Sequence, residues 1–381
     1  MYRVGIVRCY NYDYDKVEEA VFRCLNSLEG LRNKIHPGSR ALVKVNLLKK
    51  NSPEDGVTTH PAVVEAVVRY LQKFNCEVVI GDSPGGPFNE RVLKGIYKVT
   101  GMEDVAKNTG CELNYDVTYK EIHNEKARML KNMQVISVAE NVDFIVSAAK
   151  LKTHAMMTYT GAVKNLFGII PGLIKADYHF KMNDINNFAA HLVDICEYAN
   201  PLFSIIDGIE GMEGDGPSAG DVRKSGIILA SENPHALDFS ALRVIGIEPL
   251  AIPTIKEAKE RDIFIADDRY ISYTYLNPKG INIQPFKMPK SANVNFVGGR
   301  IPIRIENWLF NNMRPKPVFN HDYCISCGIC KDSCPPKVIE MIEGKPVANL
   351  DRCIRCFCCH ELCPHKAISI KKHLLYDRLF S

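Results

Sequence analysis

The feature that most constrains this chain is a doubled cysteine pattern near its end. One run reads Cys324-x2-Cys327-x2-Cys330-x3-Cys334-Pro335, and a second reads Cys353-x2-Cys356-x2-Cys359-x3-Cys363-Pro364. Three thiolates within seven residues close on one face of an iron–sulfur cube only where the backbone folds tightly over it, and a fourth Cys before proline reaches a neighbouring cube. Two runs imply two [4Fe–4S] clusters. Zinc sites usually hold two close Cys pairs far apart, which is a different spacing.

The runs resemble the bacterial-type two-cluster ferredoxins over roughly residues 318–372. In those proteins the fourth Cys of each run belongs to the other cluster. The resemblance therefore assigns Cys324, Cys327, Cys330 and Cys363 to one cluster, and Cys353, Cys356, Cys359 and Cys334 to the second. Cys358, beside Cys359, is surplus and reads as a space-filling neighbour. Val338, Ile339, Met341, Ile342 and Val347, with Ala367, Ile368 and Ile370, supply short apolar strands expected to cover the clusters.

At 381 residues the chain exceeds one ordinary domain. The expected division is an α/β domain over 1–310 and a ferredoxin-like module over 318–381. The net charge of +4 comes without a Lys/Arg block, so neither nucleic acid nor an anionic membrane is an expected partner. Cys9, Cys24, Cys76, Cys111 and Cys196 are scattered singly, a pattern of reducing compartments. With no leader-like start and no apolar run long enough for a bilayer, the expectation is a soluble, cytoplasmic protein.

Along the first domain, short buried runs alternate with helical periodicity: Val4–Val7, then Asp15–Leu28, Ala41–Leu48, a helix after His60-Pro61, and Glu77–Gly81. That alternation predicts a mainly parallel sheet covered by helices, with ligands beyond the carboxyl ends of the strands. A helix is expected over Leu93–Lys107, and strands around Leu113, Ile122 and Val135–Val138. Val142–Ala149 reads as a buried strand running on into Lys150, Lys152 and His154. Leu202–Ile206 is expected to deliver Asp207 at its end, ahead of a glycine-rich loop from Gly211 to Gly220. From Pro249 onward the prolines weaken the pattern, and its end reads as a linker into the small α+β module.

Lys44-Val-Asn46, Gly81-Asp82-Ser83-Pro84, Leu151-Lys152-Thr153-His154, Gly161-Ala-Val-Lys164-Asn165-Leu-Phe-Gly168, Asp207-Gly208 and Gly214-Asp-Gly216-Pro217 together resemble the family catalogued as domain of unknown function 362. The resemblance covers roughly residues 3–245 and implies an α/β fold with a shared pocket, without a reaction to transfer. The order Lys164, Pro171-Gly172, His179 and His191 is also similar to the lactate-racemase type, whose active site lies between two α/β halves and uses His and Lys.

Lys152, His154, Lys164 and Asn165 combine positive charge, hydrogen-bond donors and one group that titrates near neutrality. As a set they predict a catalytic pocket for a small anion, with His154 as acid or base. Asp82 and Ser83 follow a buried strand and are candidate cofactor-binding residues; Asp207, Glu210, Glu213 and Asp215 are candidates for a hard cation. No Gly-x-Gly-x-x-Gly follows the first strand and no P-loop occurs, which argues against nicotinamide and ATP sites. The expected function is iron–sulfur electron transfer to or from the α/β pocket, with a protein electron donor or acceptor. The alternatives are a pure electron carrier that docks a partner, or a racemase- or lyase-like acid/base enzyme whose clusters are structural.

Overall fold

The computed structural model describes residues 1–182, 184–290 and 315–371. Its first part runs β1 (Tyr2–Arg8), α1 (Tyr14–Asn26), β2 (Arg40–Lys44), α2 (Pro61–Gln72), β3 (Glu77–Gly81), α3 (Glu90–Val99), α4 (Met102–Thr109), β4 (Glu112–Leu113), β5 (Tyr119–His123) and β6 (Asn132–Ile136). It continues through α5 (Ser137–Glu140), β7 (Phe144–His154), β8 (Thr158–Thr160), α6 (Ala162–Asn165), α7 (Ile174–Lys181), α8 (Ile185–Ala199), β9 (Phe203–Glu213), β10 (Asp221–Ser231), α9 (Pro234–Val244), α10 (Pro253–Glu260) and β11 (Ile271–Tyr275).

Strands β2, β3 and β7 are buried along nearly their whole length, as strands covered on both faces must be. Val43 packs into the core under α1 and α2, whereas its neighbour Leu42 packs into the opposite core with Phe188 and Leu192 of α8. The sheet order is β11-β1-β10-β9-β7-β2-β3-β4, with β8 folding back on β7. From β4 to β9 the pairs are parallel, while β10 is antiparallel to both β9 and β1. The architecture is thus α/β on a mixed, mostly parallel sheet. Lys44 closes β2, Asp82 follows β3, and β7 overruns to His154, so the charged residues gather at the carboxyl ends of adjacent strands.

Four details differ from the sequence reading. The helix expected over Leu93–Lys107 is two, because Gly101, at φ 78°, breaks it between α3 and α4. Val138, expected in a strand, lies in α5. Asp207 lies mid-strand, since β9 extends to Glu213. Up to Lys290 the proline-containing stretch after Pro249 holds regular elements: Pro253 opens α10 at its first position, where proline lacks nothing a helix needs, and β11 pairs parallel with β1, while the expected linker at the end of the stretch lies outside the described residues. The expected domain boundary at 310 and the tail beyond 371 lie outside the described residues.

The cysteine module holds β12 (Lys316–Phe319), α11 (Ile329–Asp332), β13 (Ile339–Ile342), β14 (Lys345–Ala348), α12 (Cys358–Leu362) and β15 (Ile368–Lys371). β12 pairs with β15 and β13 with β14, both antiparallel. Val338, Ile339, Ala367 and Ile368 are buried around the cysteines as expected, but Ile342 and Val347 face outward, 51% and 45% exposed.

Candidate functional site

Both cysteine runs use the same backbone device. The chain turns left-handed two, four and thirteen residues after the first Cys of each run: at Ser326, Gly328 and Lys337, and again at Arg355, Phe357 and Lys366. Left-handed turns so close together reverse the chain around a common centre, and they cost energy at non-glycine residues, most of all at the bulky Phe357. Backbone amides aim at sulfur: Ser326 N–H donates to Cys324 Sγ (3.4 Å) and Ala367 N–H to Cys363 Sγ (3.3 Å).

Cys324, Cys327, Cys330 and Cys363 line one small cavity, walled by Ile325, Met341 and Ile368. The other four lie within electrostatic reach of one another: burial pushes the Cys359 thiol up, and Cys356, Cys353 and Cys334 push it the same way. Cys358 donates a hydrogen bond toward Cys356, which lowers the Cys356 thiol and raises its own. All fourteen cysteines are free thiols. Eight thiols in two groups of four, with amide donors to sulfur and an apolar surround, are a donor set that fits iron–sulfur clusters.

The strand-end lysines fall into two kinds. Lys150 is fully buried and paired with Asp207 (2.9 Å), and it also donates to Tyr12 Oη (2.7 Å). Asp207 in turn accepts from the His60 amide and from Tyr12. Lys44 is paired with Asp82 (2.8 Å) and donates to Val45 O and Asn165 Oδ1. Asp82 also accepts the Leu47 amide, so this pair locks the β2 and β3 ends together. Gly168 sits so close to Asp82 and Lys44 that a Cβ there would collide with both.

Among the described residues Lys152, Lys164 and Lys175 have no carboxylate at ion-pair distance. Lys152 donates to Asn46 Oδ1 and Val57 O, and burial lowers it to about 7. Lys175 donates to Ser83 O, Ser83 Oγ and Ile170 O, and burial lowers it also to about 7. Among the described residues Lys164 has no hydrogen-bond acceptor; burial lowers its pKa, and the Glu361 charge opposes that shift. His154 is buried, and its Nδ1 accepts from the Met156 and Met157 amides. The proton therefore sits on Nε2, which is unpartnered and 3.7 Å from Glu361 Oε2. Burial and then the Lys164 charge hold the imidazole neutral.

Lys164 and Lys175 border a cavity of about 90 Å³ whose far wall comes from the cysteine module. Lys44, Lys164, Lys175 and His179 line it from the α/β side, and Ser333, Cys358, Glu361 and Leu362 from the other. The wall is tied down by Lys49, which donates to Glu361 O, Cys363 O and Ser218 Oγ. Gly85 has no room for a Cβ because Leu362 lies against it. Phe357 and Ile370 also pack on Ala155.

Of the residues singled out from sequence, Lys164 presents a free group to this cavity. Asp82, Ser83 and Asn165 line it with their polar atoms already engaged; Asn165 bonds Lys44, Asn46 and Ser147. Lys152 lies behind the wall. Asp207, Glu213 and Asp215 are drawn into ion pairs with Lys150, Arg223 and Lys290 rather than gathered for a cation. Lys175 and the whole Glu361 wall escaped the sequence reading. A lysine four residues past Pro171 has no motif around it, and the wall lies 143 to 314 positions from the residues that tie it down.

A family model, domain of unknown function (DUF362), matches residues 41–243, and a 4Fe-4S dicluster domain matches residues 316–364. The chain belongs to the DUF362 family. The thylakoid-associated protein sll1697 of Synechocystis sp. is similar at 30% identity over 292 residues, covering 75% of this chain and 88% of that protein. Among solved structures, the lactate racemase apoprotein from Thermoanaerobacterium thermosaccharolyticum is similar with a TM-score of 0.42 at 14% identity, covering 65% of this chain and 57% of that one. Among the described residues of this DUF362 protein no helix is long and apolar enough to cross a membrane.

Proposed function

We propose that this protein is a cytoplasmic iron–sulfur oxidoreductase with two [4Fe–4S] clusters, moving electrons between an external carrier protein and a small anion held in the lysine cavity. Cys324, Cys327, Cys330 and Cys363 hold the outer cluster; Cys334, Cys353, Cys356 and Cys359 hold the inner one. When bound, the clusters supply one-electron steps at a potential set by charge, hydrogen bonds and burial.

The observation that carries this reading is the shared helix α12. It bears Cys359, leads into Cys363, and turns Cys358 and Glu361 toward the cavity. Ser333, beside Cys334, faces the same space. Cys327, by contrast, is exposed to solvent, which puts the outer site within reach of a protein carrier.

The residues divide the remaining work. Lys164 draws in the anion, Lys44–Asp82 and Asn165 hold the floor, and the apolar Leu48, Phe167 and Leu362 exclude water. In the reducing direction the anion takes up two electrons, which originate in the carrier, and two protons. The Lys164 ammonium, which lines the cavity, is a proton source at hand.

The test is anaerobic. Purified protein should hold about eight iron and eight sulfide. Its dithionite-reduced form should show cluster EPR signals that disappear when a suitable small anion is added. Signals that respond only to a carrier protein would reduce the chain to an electron carrier, and turnover with the clusters held oxidised would make it a non-redox acid/base enzyme.

A further inference from the structure

Lys49 reaches out of the α/β domain to a residue of the outer cysteine site. Its Nζ donates to Cys363 O (2.8 Å) and Glu361 O (3.0 Å), and Ser218 Oγ is its third acceptor (3.1 Å). The loop after β2 that carries it is fixed at its base, because the Leu47 amide bonds Asp82 and Leu48 O accepts the Gly85 amide. Leu48 is left-handed at φ 52°, a costly turn for a leucine. An anchored and strained turn thus delivers the ammonium to the module.

Helix capping alone leaves the charge unexplained. Glu361 O and Cys363 O belong to the end of α12, where a cation is favourable. The Ser218 hydroxyl already donates to Glu361 O (2.7 Å), however, and a neutral donor is far cheaper to withdraw from water than a half-buried ammonium. Among the described residues the negative charge that acts most on Lys49 is that of the Cys363 thiolate, ahead of Glu361 and Asp55, with Lys366 opposing them. The inner site meets the opposite field, since the Glu361 carboxylate acts on Cys356. The two groups of four cysteines therefore sit in different electrostatic surroundings, one beside an ammonium and one beside a carboxylate.

Resting on the two-cluster reading above, we propose that the Lys49 ammonium is a positioning residue that raises the potential of the outer site, acting through Cys363, while it holds α12 against the α/β domain. Net charge and its surroundings are among the levers that set a cluster's potential. A fixed positive charge stabilises the negative charge that reduction adds, and it does so more strongly inside a protein than in water. The step it acts on is a one-electron transfer from the reduced carrier protein to the outer site. The carrier is oxidised, the site is reduced, and no covalent bond forms or breaks. Lys49 thus makes the solvent-facing site the readier acceptor and leaves the inner site, beside Glu361, the stronger reductant toward the cavity.

The experiment is an anaerobic redox titration of the holoprotein followed by EPR, with the shifted cysteine β-proton signals in NMR spectra assigning each step to its site. Lys49→Gln and Lys49→Met should disfavour reduction of the outer site by a factor of about 3 to 10, which is about 30–60 mV for a one-electron step, and should move the inner site less. Lys49→Arg should restore most of the parent midpoint. Ser218→Ala removes a tie to Glu361 O but no charge, so it should leave both midpoints in place. Full iron content with unmoved midpoints in both neutral variants, or an equal shift in Ser218→Ala, would make Lys49 a helix cap and overturn the proposal. Loss of iron from both neutral variants overturns it as well, because the ammonium then holds the module together rather than tuning it. A parent protein without iron would sink the cluster reading and this proposal with it. Midpoints that shift as expected while no small anion reoxidises the clusters keep the role of Lys49 and remove the oxidoreductase reading.

Discussion

Two groups of lysines at the strand ends, one fully buried and one half-buried, do opposite things. Lys150 and Lys44 each sit on a carboxylate, inside networks that tie strand ends together. Lys164 and Lys175 border the cavity without a carboxylate. Burying a cation beside its partner is roughly neutral to folding, whereas burying one without a partner is costly unless something else repays it. The first group is scaffold. The second is positive charge faced only at a distance by Glu361 and Asp82 among the described residues, and the proposed anion is what would answer it.

Removing the partner from the scaffold group should hurt most. Asp207→Asn strands the Lys150 ammonium beside Tyr12 and should cost about 3–5 kcal/mol, read by chemical denaturation. A loss under 1 kcal/mol would erase the distinction between the two groups. Next comes Lys164→Gln, where the sign should reverse: with no partner to lose, stability should stay within about 1 kcal/mol of the parent or rise, while anion binding collapses.

A smaller, graded effect follows from pH. Lys152 and Lys175 have folded-state values of about 7 against an ordinary 10.5, because burial disfavours their charge. Between pH 7 and 10.5 the unfolded chain binds protons that the folded chain does not, so these two groups make stability rise with pH across that window. Anion affinity should run the other way and fall as pH climbs through 7. Lys152 is faced by Lys164, Lys150, Glu361 and Asp82, and Lys175 by Asp82, Lys44, Glu361 and Lys164, so a bound anion should move both transitions upward. Equal affinity at pH 6 and pH 9 would mean these lysines do not see the ligand. The smallest effect belongs to Cys358→Ser, which keeps the iron content but shifts the EPR line shape of the inner cluster, because a weaker contact then reaches Cys356.

The sequence disclosed the parts whose chemistry is local. Eight cysteines in two seven-plus-four runs need no tertiary information, and the continuous apolar stretch of β7 announces a strand buried on both faces. Just after Pro249 the proline that weakens the sequence pattern is a helix starter at Pro253. The pocket was legible in half. Lys164 could be named from its turn, but which lysine is paired depends on Asp207 and Asp82, which reach across the sheet from other strands. Lys175 and Glu361 could not be named at all, since neither has meaning until Leu362 is set against Gly85.

That last contact has a consequence for how the protein fails. Ser333, Cys358, Glu361 and Leu362 each lie within two residues of a cysteine of the two runs. On the proposed reading, oxygen that strips iron from the inner site would release the same segment, and the wall of the cavity with it. Damage would then remove the grip on the proposed anion and the electron supply together, and a spoiled molecule would not compete for its ligand with an intact one.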